Sequence, residues 1–288
     1  MTCADETLYF YPMSLFVSSL NSGSNGNCYY IGNQEEAVLI DGGISCRETE
    51  KRMKRLGLGL NKVKGIFVSH EHGDHIHGVP VLSRKHKIPV YMTDTTWQNG
   101  RIDVREEFTY HLKTYQPVTL GGLSVVAFPK LHDACDPTSF IIEGGGVRIG
   151  VFTDIGRACE HVTKHFQQCH AAFLETNYDE EMLTNGSYPF MLKERIRGDQ
   201  GHLSNDQALE LFMEHRPPYM THLFLSHLSA DNNKPKIVKE MFTRVAGNTS
   251  IIVASRRKET PLYHIRDLSY RRTLVAQQVA RQEQLQLF

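Results

Sequence analysis

The sequence has no long apolar segment and shows no basic stretch followed by a long apolar run, so we expect neither a membrane-spanning protein nor a secreted protein of the usual kind. No stretch approaches the roughly 20 apolar residues that are needed to cross a bilayer. At the N-terminus, Asp5 and Glu6 precede a short apolar patch, whereas a signal peptide needs a basic start and a longer apolar run. We therefore expect a cytoplasmic protein with no membrane partner.

The sequence also lacks a regular cysteine pattern and an excess of charge of either sign. The six cysteines are scattered without a C-x-x-C pair, which is typical of buried or free thiols in a reducing compartment. Lysine plus arginine equals aspartate plus glutamate at 32 each, so no global field attracts nucleic acid. A site for a polyanion would have to come from a local patch or from bound metal ions.

The 288 residues, with 40% hydrophobic content, are enough for one large domain with a buried core. We expect a single domain over 1–288, with its core over about 13–255 and a C-terminal tail over 256–288. Strand-length apolar runs alternate with amphipathic stretches, which predicts two sheets packed face to face with helices outside. The predicted strands are 13–20, 28–31, 37–40, 63–68, 123–128, 139–142, 147–152, 171–174, 220–225 and 250–253, and the predicted helices are 47–56, 75–85, 158–167, 205–215 and 235–245.

A cluster of metal-ligand side chains follows the fourth predicted strand. Residues 69–75 read Ser-His-Glu-His-Gly-Asp-His, which places three imidazoles and two carboxylates in seven residues. Imidazole and carboxylate are ligands that zinc and similar divalent ions prefer. His70 and His72 are two residues apart rather than four, so they do not share a helix face, and a loop at a strand end fits better. A single histidine here would indicate a solvated turn, but four ligand-type residues indicate metal.

Three later residues of ligand type, His132, Asp154 and His227, each come just after a predicted strand. Taken singly, a strand-end aspartate or histidine most often caps a helix or meets solvent. Together they repeat one layout, and a catalytic metal needs about three protein ligands besides an open position. We therefore expect these side chains to meet the cluster at residues 70–75.

This layout resembles the metallo-β-lactamase fold superfamily of hydrolases, whose hallmark is an H-x-H-x-D-H loop followed by a later His, Asp and His. The resemblance covers residues from about 13 to 253 and implies an α/β (α+β) fold, a four-layer αββα sandwich with a two-metal site along one edge. The implied cofactors are two divalent ions, Zn²⁺ or Mn²⁺, while Fe²⁺ or Co²⁺ would also suit such ligands. The implied ligands are His70, His72 and His132 for one ion, Asp74, His75 and His227 for the other, and Asp154 as a bridge.

Five short strings are similar to those of the YycJ/WalJ branch, which is proposed to act as a nuclease. They begin at Ser22, His132, Glu175, Gly201 and His227 and occur in the same order. The β-CASP insertion of larger nucleases is missing, and no cysteine stands among the implied ligands as in many true β-lactamases. The resemblance therefore implies a metal-dependent phosphodiesterase, a 5′→3′ DNA exonuclease that uses a dinuclear metal-activated water and takes DNA as its partner.

Within that resemblance, individual residues receive expected roles. Asp74 is the candidate to bind metal and to orient the attacking water, and His202, next to a helix that Ser204 and Gln207 are predicted to cap, is the candidate to contact a phosphate. The turn around Ser24 and Asn27 could offer N–H groups to a phosphate, although such segments are also common tight turns. Asn177 is a further candidate substrate contact, and Glu71 should point away from the metal.

Two other functions stay open at this stage. The first is a hydrolase of the same fold that acts on a small thioester, lactone or cyclic nucleotide, and an extended basic groove would argue against it. The second is an iron-containing redox module, because this fold also hosts oxygen reductases. Those proteins carry Glu and Asp where this chain has His72 and His75, which favours hydrolysis. The basic triplet 256–258 is interpreted as a solvated face, and the oligomeric state is left open.

Overall fold

Two seven-stranded β-sheets pack face to face in the computed structural model, which describes residues 14–267. The first sheet contains β1 (Ser14–Asn21), β2 (Cys28–Gly32), β3 (Ala37–Ile40), β4 (Val63–Phe67), β5 (Val90–Met92) and β6 (Thr109–His111). The second contains β7 (Pro117–Leu120), β8 (Leu123–Pro129), β9 (Thr138–Gly144), β10 (Val147–Phe152), β11 (Ala171–Glu175), β12 (His222–Ser226) and β13 (Ser250–Val253). The last described strand, β14 (Tyr263–Arg266), returns to the first sheet beside β1.

Both sheets are mixed, with one antiparallel half and one parallel half. The pairs from β3 to β6 and from β10 to β13 are parallel, whereas the remaining neighbours are antiparallel. Parallel strands need crossover connections, and helices supply most of them. Because helices then cover the outer faces, the central strands are apolar throughout, as in β3 and β11, where every residue is buried.

The helices are α1 (Cys46–Arg55), α2 (Gly73–Ile76), α3 (Val79–His86), α4 (Asp94–Gly100), α5 (Glu160–Phe166), α6 (Glu180–Asn185), α7 (Phe190–Arg197), α8 (Asn205–His215) and α9 (Pro235–Thr243). Residues of α1 and α3 pack on the outer face of the first sheet, and residues of α5, α8 and α9 pack on the outer face of the second. The predicted four-layer αββα sandwich is confirmed. The capping box of Ser204 and Gln207 at the start of α8 is confirmed as well.

The core between the sheets is rich in aromatic rings. Tyr29 and Phe67 from the first sheet meet Phe140, Phe173 and Phe224 from the second, and all five side chains are fully buried. The rings of Phe173 and Phe224 stack with their centroids 4.5 Å apart. Such pairs add about 0.5–1.5 kcal/mol to the stabilisation from apolar burial. This layer holds the two sheets, and therefore the loops at their edges, in a fixed relation.

Three sequence-based expectations need correction. The helix predicted over 75–85 is two helices, α2 and α3, and between them the backbone N–H of Gly78 donates to Gly42 O at 2.7 Å instead of continuing the helical pattern. The short strands β5, β6 and β7 were not predicted. The supposed tail begins later than residue 256, because β14 pairs with β1 in the first sheet, and residues 268–288 lie outside the described part.

Two predicted absences can be examined over residues 14–267. Within this range no helix combines the length and the hydropathy that crossing a membrane requires. The five cysteines in this range are free thiols, as the irregular spacing indicated. The prediction for Cys3 falls outside the described residues.

Candidate metal centre

The predicted metal ligands meet at the edge where strands of both sheets end. The loop with His70 and His75 follows β4, His132 follows β8, Asp154 follows β10 and His227 follows β12. These loops are tied to one another across the sandwich, since the Thr138 N–H donates to Ser69 O at 2.9 Å. All seven residues predicted from the sequence are therefore brought together in one place.

The nitrogen and oxygen atoms of these side chains form several overlapping groups, two of which share no residue, and a further group, His70, His75 and Asp154, connects these two. His70, His72 and His132 each offer an atom within 4.8 Å of the others, and His70 Nε2 is 3.1 Å from His72 Nδ1. In the second group, Asp74 Oδ2 lies 3.6 Å from the Nε2 atoms of both His75 and His227. Each group alone has the size and composition of a divalent metal site.

Asp154 lies between the two groups. Its Oδ2 is 3.1 Å from His75 Nε2, while its Oδ1 is 3.5 Å from His227 Nε2 and 3.8 Å from His132 Nε2. The residue is almost completely buried, so water does not compete freely for these oxygens. One carboxylate thus faces ligand atoms of both groups.

Several of these buried atoms have no hydrogen-bond partner. His132 Nε2, His227 Nε2 and Asp154 Oδ2 all lack a hydrogen bond of normal geometry although they are shielded from solvent. A buried polar group without a partner costs about 1–3 kcal/mol. Unpaired atoms from three separate loops, pointing at one another, are what a site for a cation requires. The side chains therefore fit bound divalent metal ions.

The electrostatic environment of the two groups differs. Burial holds the pKa of His70 well below its usual value and lowers the pKa of His132 to about 4, so both rings are neutral near pH 7. Burial also opposes protonation of His75, but the carboxylates of Asp154 and Asp41 outweigh it and raise the pKa of His75 to about 10. The second group thus stabilises positive charge, and a metal ion that binds there must displace a proton.

The far nitrogens of four of the five ligand rings, those of His70, His75, His132 and His227, each contact a fixed acceptor or hydroxyl. Asp41 Oδ2 lies 2.7 Å from His75 Nδ1, and Glu175 Oε1 lies 3.1 Å from His227 Nδ1. The Gly201 carbonyl oxygen lies 3.0 Å from His132 Nδ1. Such contacts fix the tautomer and orientation of metal-binding histidines. Asp41 and Glu175 were not assigned a role from the sequence, because a lone carboxylate after an apolar run also fits a turn.

Asp41 is the most connected of these supporting residues. It is fully buried and also accepts hydrogen bonds from Ser69 N at 2.8 Å and Ser69 Oγ at 3.0 Å. The neighbouring Gly43 allows the two loops to approach, because a side chain there would collide with the carbonyl oxygen of Asp74. Asp41 therefore positions the start of the histidine loop as well as the His75 ring.

Asp41→Asn is expected to weaken metal binding by roughly 10- to 100-fold, because an amide cannot accept both the Ser69 and the His75 hydrogen bonds in the same way. The affinity can be measured by competition with a chromogenic chelator. Asp103→Asn, at a side chain that is 91% exposed, serves as the control with the same chemical change. Equal affinities for the two variants would contradict a positioning role for Asp41.

Three of the site residues adopt left-handed backbone conformations. The φ angles of Asp41, Asp154 and His227 are 59°, 55° and 56°. This conformation costs a residue with a side chain roughly 1–2 kcal/mol. Each of the three turns sharply out of a strand end and sends its side chain into the site. The strained backbone positions thus lie at the same edge of the sandwich as the ligand atoms, as is common at functional sites.

The predicted substrate residues divide into two kinds. Ser24 is exposed and His202 is partly exposed, with His202 Nδ1 2.7 Å from Glu175 Oε1. Asn27 and Asn177 are buried, and their amides contact Asp74 at 3.2 Å and the His227 carbonyl at 2.9 Å. Asn27 and Asn177 are therefore better placed to support the predicted ligands than to contact a substrate directly.

Glu71 points away from the ligand groups, as the alternation of side chains predicted. Its Oε1 accepts a hydrogen bond from the backbone N–H of Cys135 at 2.8 Å. This contact joins the histidine loop to the loop that carries His132. Glu71 therefore connects the two loops and has a structural role.

A further group of ligand-type side chains lies between α1 and α3. Cys46, Glu50 and His86 each offer an atom within 4.8 Å of the others. Here the atoms satisfy one another, since His86 Nε2 lies 2.7 Å and Lys85 Nζ 2.6 Å from Glu50 Oε1. The lack of unpaired buried atoms distinguishes this group from the main centre.

Comparisons with known proteins agree with this geometry. The family profile described as Beta-lactamase superfamily domain matches residues 36–227. The chain is 34% identical to Exodeoxyribonuclease YycJ of Bacillus anthracis over 81% of this chain and 89% of that protein. It is 30% identical to Exodeoxyribonuclease WalJ of Streptococcus pneumoniae over 75% of this chain and 82% of that protein. Among solved structures, the metallo-β-lactamase fold protein YhfI of Bacillus subtilis aligns with a TM-score of 0.68 at 15% sequence identity. The alignment covers 87% of this chain and 99% of the YhfI chain.

The sandwich and the clustered His and Asp side chains at its edge define a hydrolase of the metallo-β-lactamase fold. This fold implies divalent metal ions, and the two ligand groups are the candidates to hold them. The chain belongs to the β-lactamase superfamily, as the match over residues 36–227 establishes. The family recognised from the sequence motif is thereby confirmed.

Proposed function

We propose that the protein is a metal-dependent exodeoxyribonuclease that cleaves phosphodiester bonds of DNA from the 5′ end. The observation that carries this proposal is the convergence of two ligand groups on Asp154 in a chain that matches exodeoxyribonucleases over most of its length. Phosphodiester hydrolysis needs positive charge beside the phosphate and an activated water. The ligand groups are suited to concentrate such charge at one edge of the sandwich.

The proposed centre holds two ions. His70, His72 and His132 form one ligand set, and Asp74, His75 and His227 form the other, which coincides with the two groups of neighbouring atoms. Asp154 would serve both sets, because its Oδ2 lies near His75 and its Oδ1 lies near both His227 and His132. Divalent ions held in this way would lower the pKa of water and would stabilise the negative charge that develops on a phosphodiester.

Asp74 is the proposed residue that orients the attacking water. Its side chain is 23% exposed, so it is the one carboxylate of the two ligand sets that is open to the solvent side. Burial would raise the pKa of Asp74, but the neighbouring imidazoles of His75 and His227 lower it to about 2. The carboxylate is therefore ionised at neutral pH and can accept a hydrogen bond from water.

His202 is the proposed contact to the substrate phosphate. Glu175 holds its Nδ1, so Nε2 is the atom that remains to meet a substrate. The ring lies 5.4 Å from that of His227 and 5.3 Å from that of His132, centroid to centroid. This position lets His202 donate a hydrogen bond to a phosphate oxygen or a proton to the departing oxygen.

His202→Ala is expected to lower turnover of DNA by roughly 10²-fold while the metal content stays unchanged, because the ring lies outside both ligand sets. Turnover and metal content are measured on the same preparation by a nuclease assay and elemental analysis. His161→Ala, on the exposed surface of α5, is the matched control. Unchanged turnover, or loss of metal from the His202 variant, would contradict the proposed role.

The decisive experiment compares substrate classes. Protein loaded with Zn²⁺ or Mn²⁺ is incubated with single- and double-stranded DNA labelled at either end, with RNA, with a thioester and with a β-lactam. The proposal expects mononucleotides from DNA labelled at the 5′ end at the earliest times. Preferential cleavage of the thioester would instead establish a small-molecule hydrolase, and iron with a visible absorbance band in protein purified without added metal would indicate the redox alternative.

A further inference from the structure

A cavity of about 460 Å³ lies at the end of β12, the strand that leads to the predicted ligand His227. It is linked to that residue through Ser22, which lines the cavity and whose Oγ accepts a hydrogen bond from His227 N at 2.7 Å. Leu228, which follows the ligand His227, also lines it. The volume lies within the range of pockets that bind small ligands, about 300–1,000 Å³.

The lining of this cavity has two chemical parts. Leu228, Pro235, Val253 and Ala254 provide an apolar part. The hydroxyls of Ser229 and Ser255 and the guanidinium groups of Arg256 and Arg257 provide a polar part that can donate to oxygen, whereas Ser22 and Asn233 are hydrogen-bonded within the protein. A ligand that matches both parts needs an apolar ring or sugar face and an anionic group.

Arg256 carries an unpaired donor at this cavity. The side chain is half-buried, and its Nη1 is shielded from solvent without a hydrogen-bond partner. Its other terminal nitrogen lies 3.4 Å from Ser24 Oγ, and its carbonyl oxygen accepts from Asn25 Nδ2 at 2.8 Å. The interpretation of the basic triplet as a solvated face therefore fails for Arg256, because the turn at residues 22–27 holds it in place.

The two guanidinium groups at this cavity are not held by ion pairs. Within residues 14–267 neither Arg256 nor Arg257 forms an ion pair with a carboxylate, and Glu259 of the same segment pairs instead with Arg55 at 2.6 Å. A guanidinium in a fixed position binds phosphate through two parallel donors. The anionic group that the cavity selects is therefore best matched by phosphate.

We propose that this cavity binds one nucleotide of the DNA strand next to the bond that is cut, with Arg256 on its phosphate and the apolar wall against its sugar and base. The proposal rests on the proposed nuclease function, and it adds the part of the site that holds the strand. A nucleotide held there would leave the neighbouring phosphodiester on the side of the cavity that Ser22 connects to His227, toward the proposed metal centre. Ser24, predicted as a substrate contact, then acts by holding the guanidinium.

The first test measures binding without metal. In the presence of EDTA, wild-type protein is titrated with deoxyadenosine 5′-monophosphate, with deoxyadenosine and with inorganic phosphate. The proposal expects the nucleotide to bind more tightly than either fragment. Arg256→Ala should weaken nucleotide binding at least tenfold, Arg256→Lys should weaken it less, and Arg266→Ala, which removes the same charge from β14, should leave it unchanged. Equal binding by Arg256→Ala and Arg266→Ala would overturn the proposal.

The second test measures turnover of single-stranded DNA by the metal-loaded protein. Arg256→Ala is expected to raise KM at least tenfold with a smaller change in kcat. It should also reduce the slope of log KM against log salt by about 0.7, the value for one phosphate contact on a single strand. A wild-type protein that degrades DNA, with KM and salt slope the same in Arg256→Ala and Arg266→Ala, would overturn the nucleotide cavity alone. A wild-type protein that degrades no DNA with either metal would overturn the nuclease function on which it rests.

Discussion

Asp154→Ala is expected to lower metal-dependent hydrolysis by at least about 10³-fold, which corresponds to about 4 kcal/mol of transition-state stabilisation. The reason is its position, since its Oδ2 faces His75 and its Oδ1 faces both His227 and His132, so that it meets ligand atoms of both proposed sets. Its removal would take the proposed shared ligand from both sets at once, whereas the loss of any one histidine would affect a single set. Activity on the preferred substrate and metal equivalents per chain are the two measurements.

Asp199→Ala provides the matched control for this prediction. Asp199 is exposed and has only a long contact of 3.6 Å to Arg157, so its removal should change neither activity nor metal content. If Asp154→Ala keeps two metal equivalents and full activity, the proposed shared ligand is wrong. If it loses one equivalent and keeps activity, a single-ion mechanism would replace the one proposed.

Phe224→Ala is expected to lower the free energy of unfolding by about 3–5 kcal/mol, the usual cost of removing a buried phenyl group. Phe224 is fully buried between the two sheets, where it stacks on Phe173 and meets Tyr263 edge-on with centroids 5.2 Å apart. Because Tyr263 belongs to β14, the cavity would also weaken the contact of that strand with the second sheet. Urea unfolding of the metal-free protein measures the change.

Phe190→Ala is the same chemical change at the surface. The Phe190 side chain is 72% exposed, so its removal should alter the free energy of unfolding by no more than about 0.5 kcal/mol. A difference of less than about 1 kcal/mol between the two variants would show that the aromatic layer between the sheets is not what holds the sandwich together.

The parts of the fold that sequence reasoning found are those with local signals. The helix over 205–215 was predicted with the bounds observed, because Ser204 and Gln207 mark its start and the apolar spacing continues for three turns. The strands β5, β6 and β7 have three or four residues each, which is too short for an alternating pattern to stand out. At the break, Gly78 N hydrogen-bonds to Gly42 O, a residue more than thirty positions away in the chain, and no local pattern contains that contact.

The candidate site shows the same division between local and distant information. The cluster at residues 70–75 is dense enough to be recognised alone, and it led to His132, Asp154 and His227 through their shared position after strands. Asp41 and Glu175 depend on contacts made only after folding, and their neighbours in sequence resemble ordinary turns. Arg256 was assigned to solvent for the same reason, since nothing near it in the chain indicates the cavity that it lines.

The left-handed backbone at Asp41, Asp154 and His227 creates a conflict between thermal stability and catalytic activity at these three positions. Glycine adopts this conformation without steric penalty, so selection for heat resistance alone would favour glycine at Asp154 and His227, whereas at Asp41 it would also lose the buried hydrogen bonds to Ser69 and His75. Directed evolution toward higher melting temperature would then erode activity here first. Engineering for higher thermal stability should therefore keep these three residues and introduce stabilising substitutions in the outer helical layers.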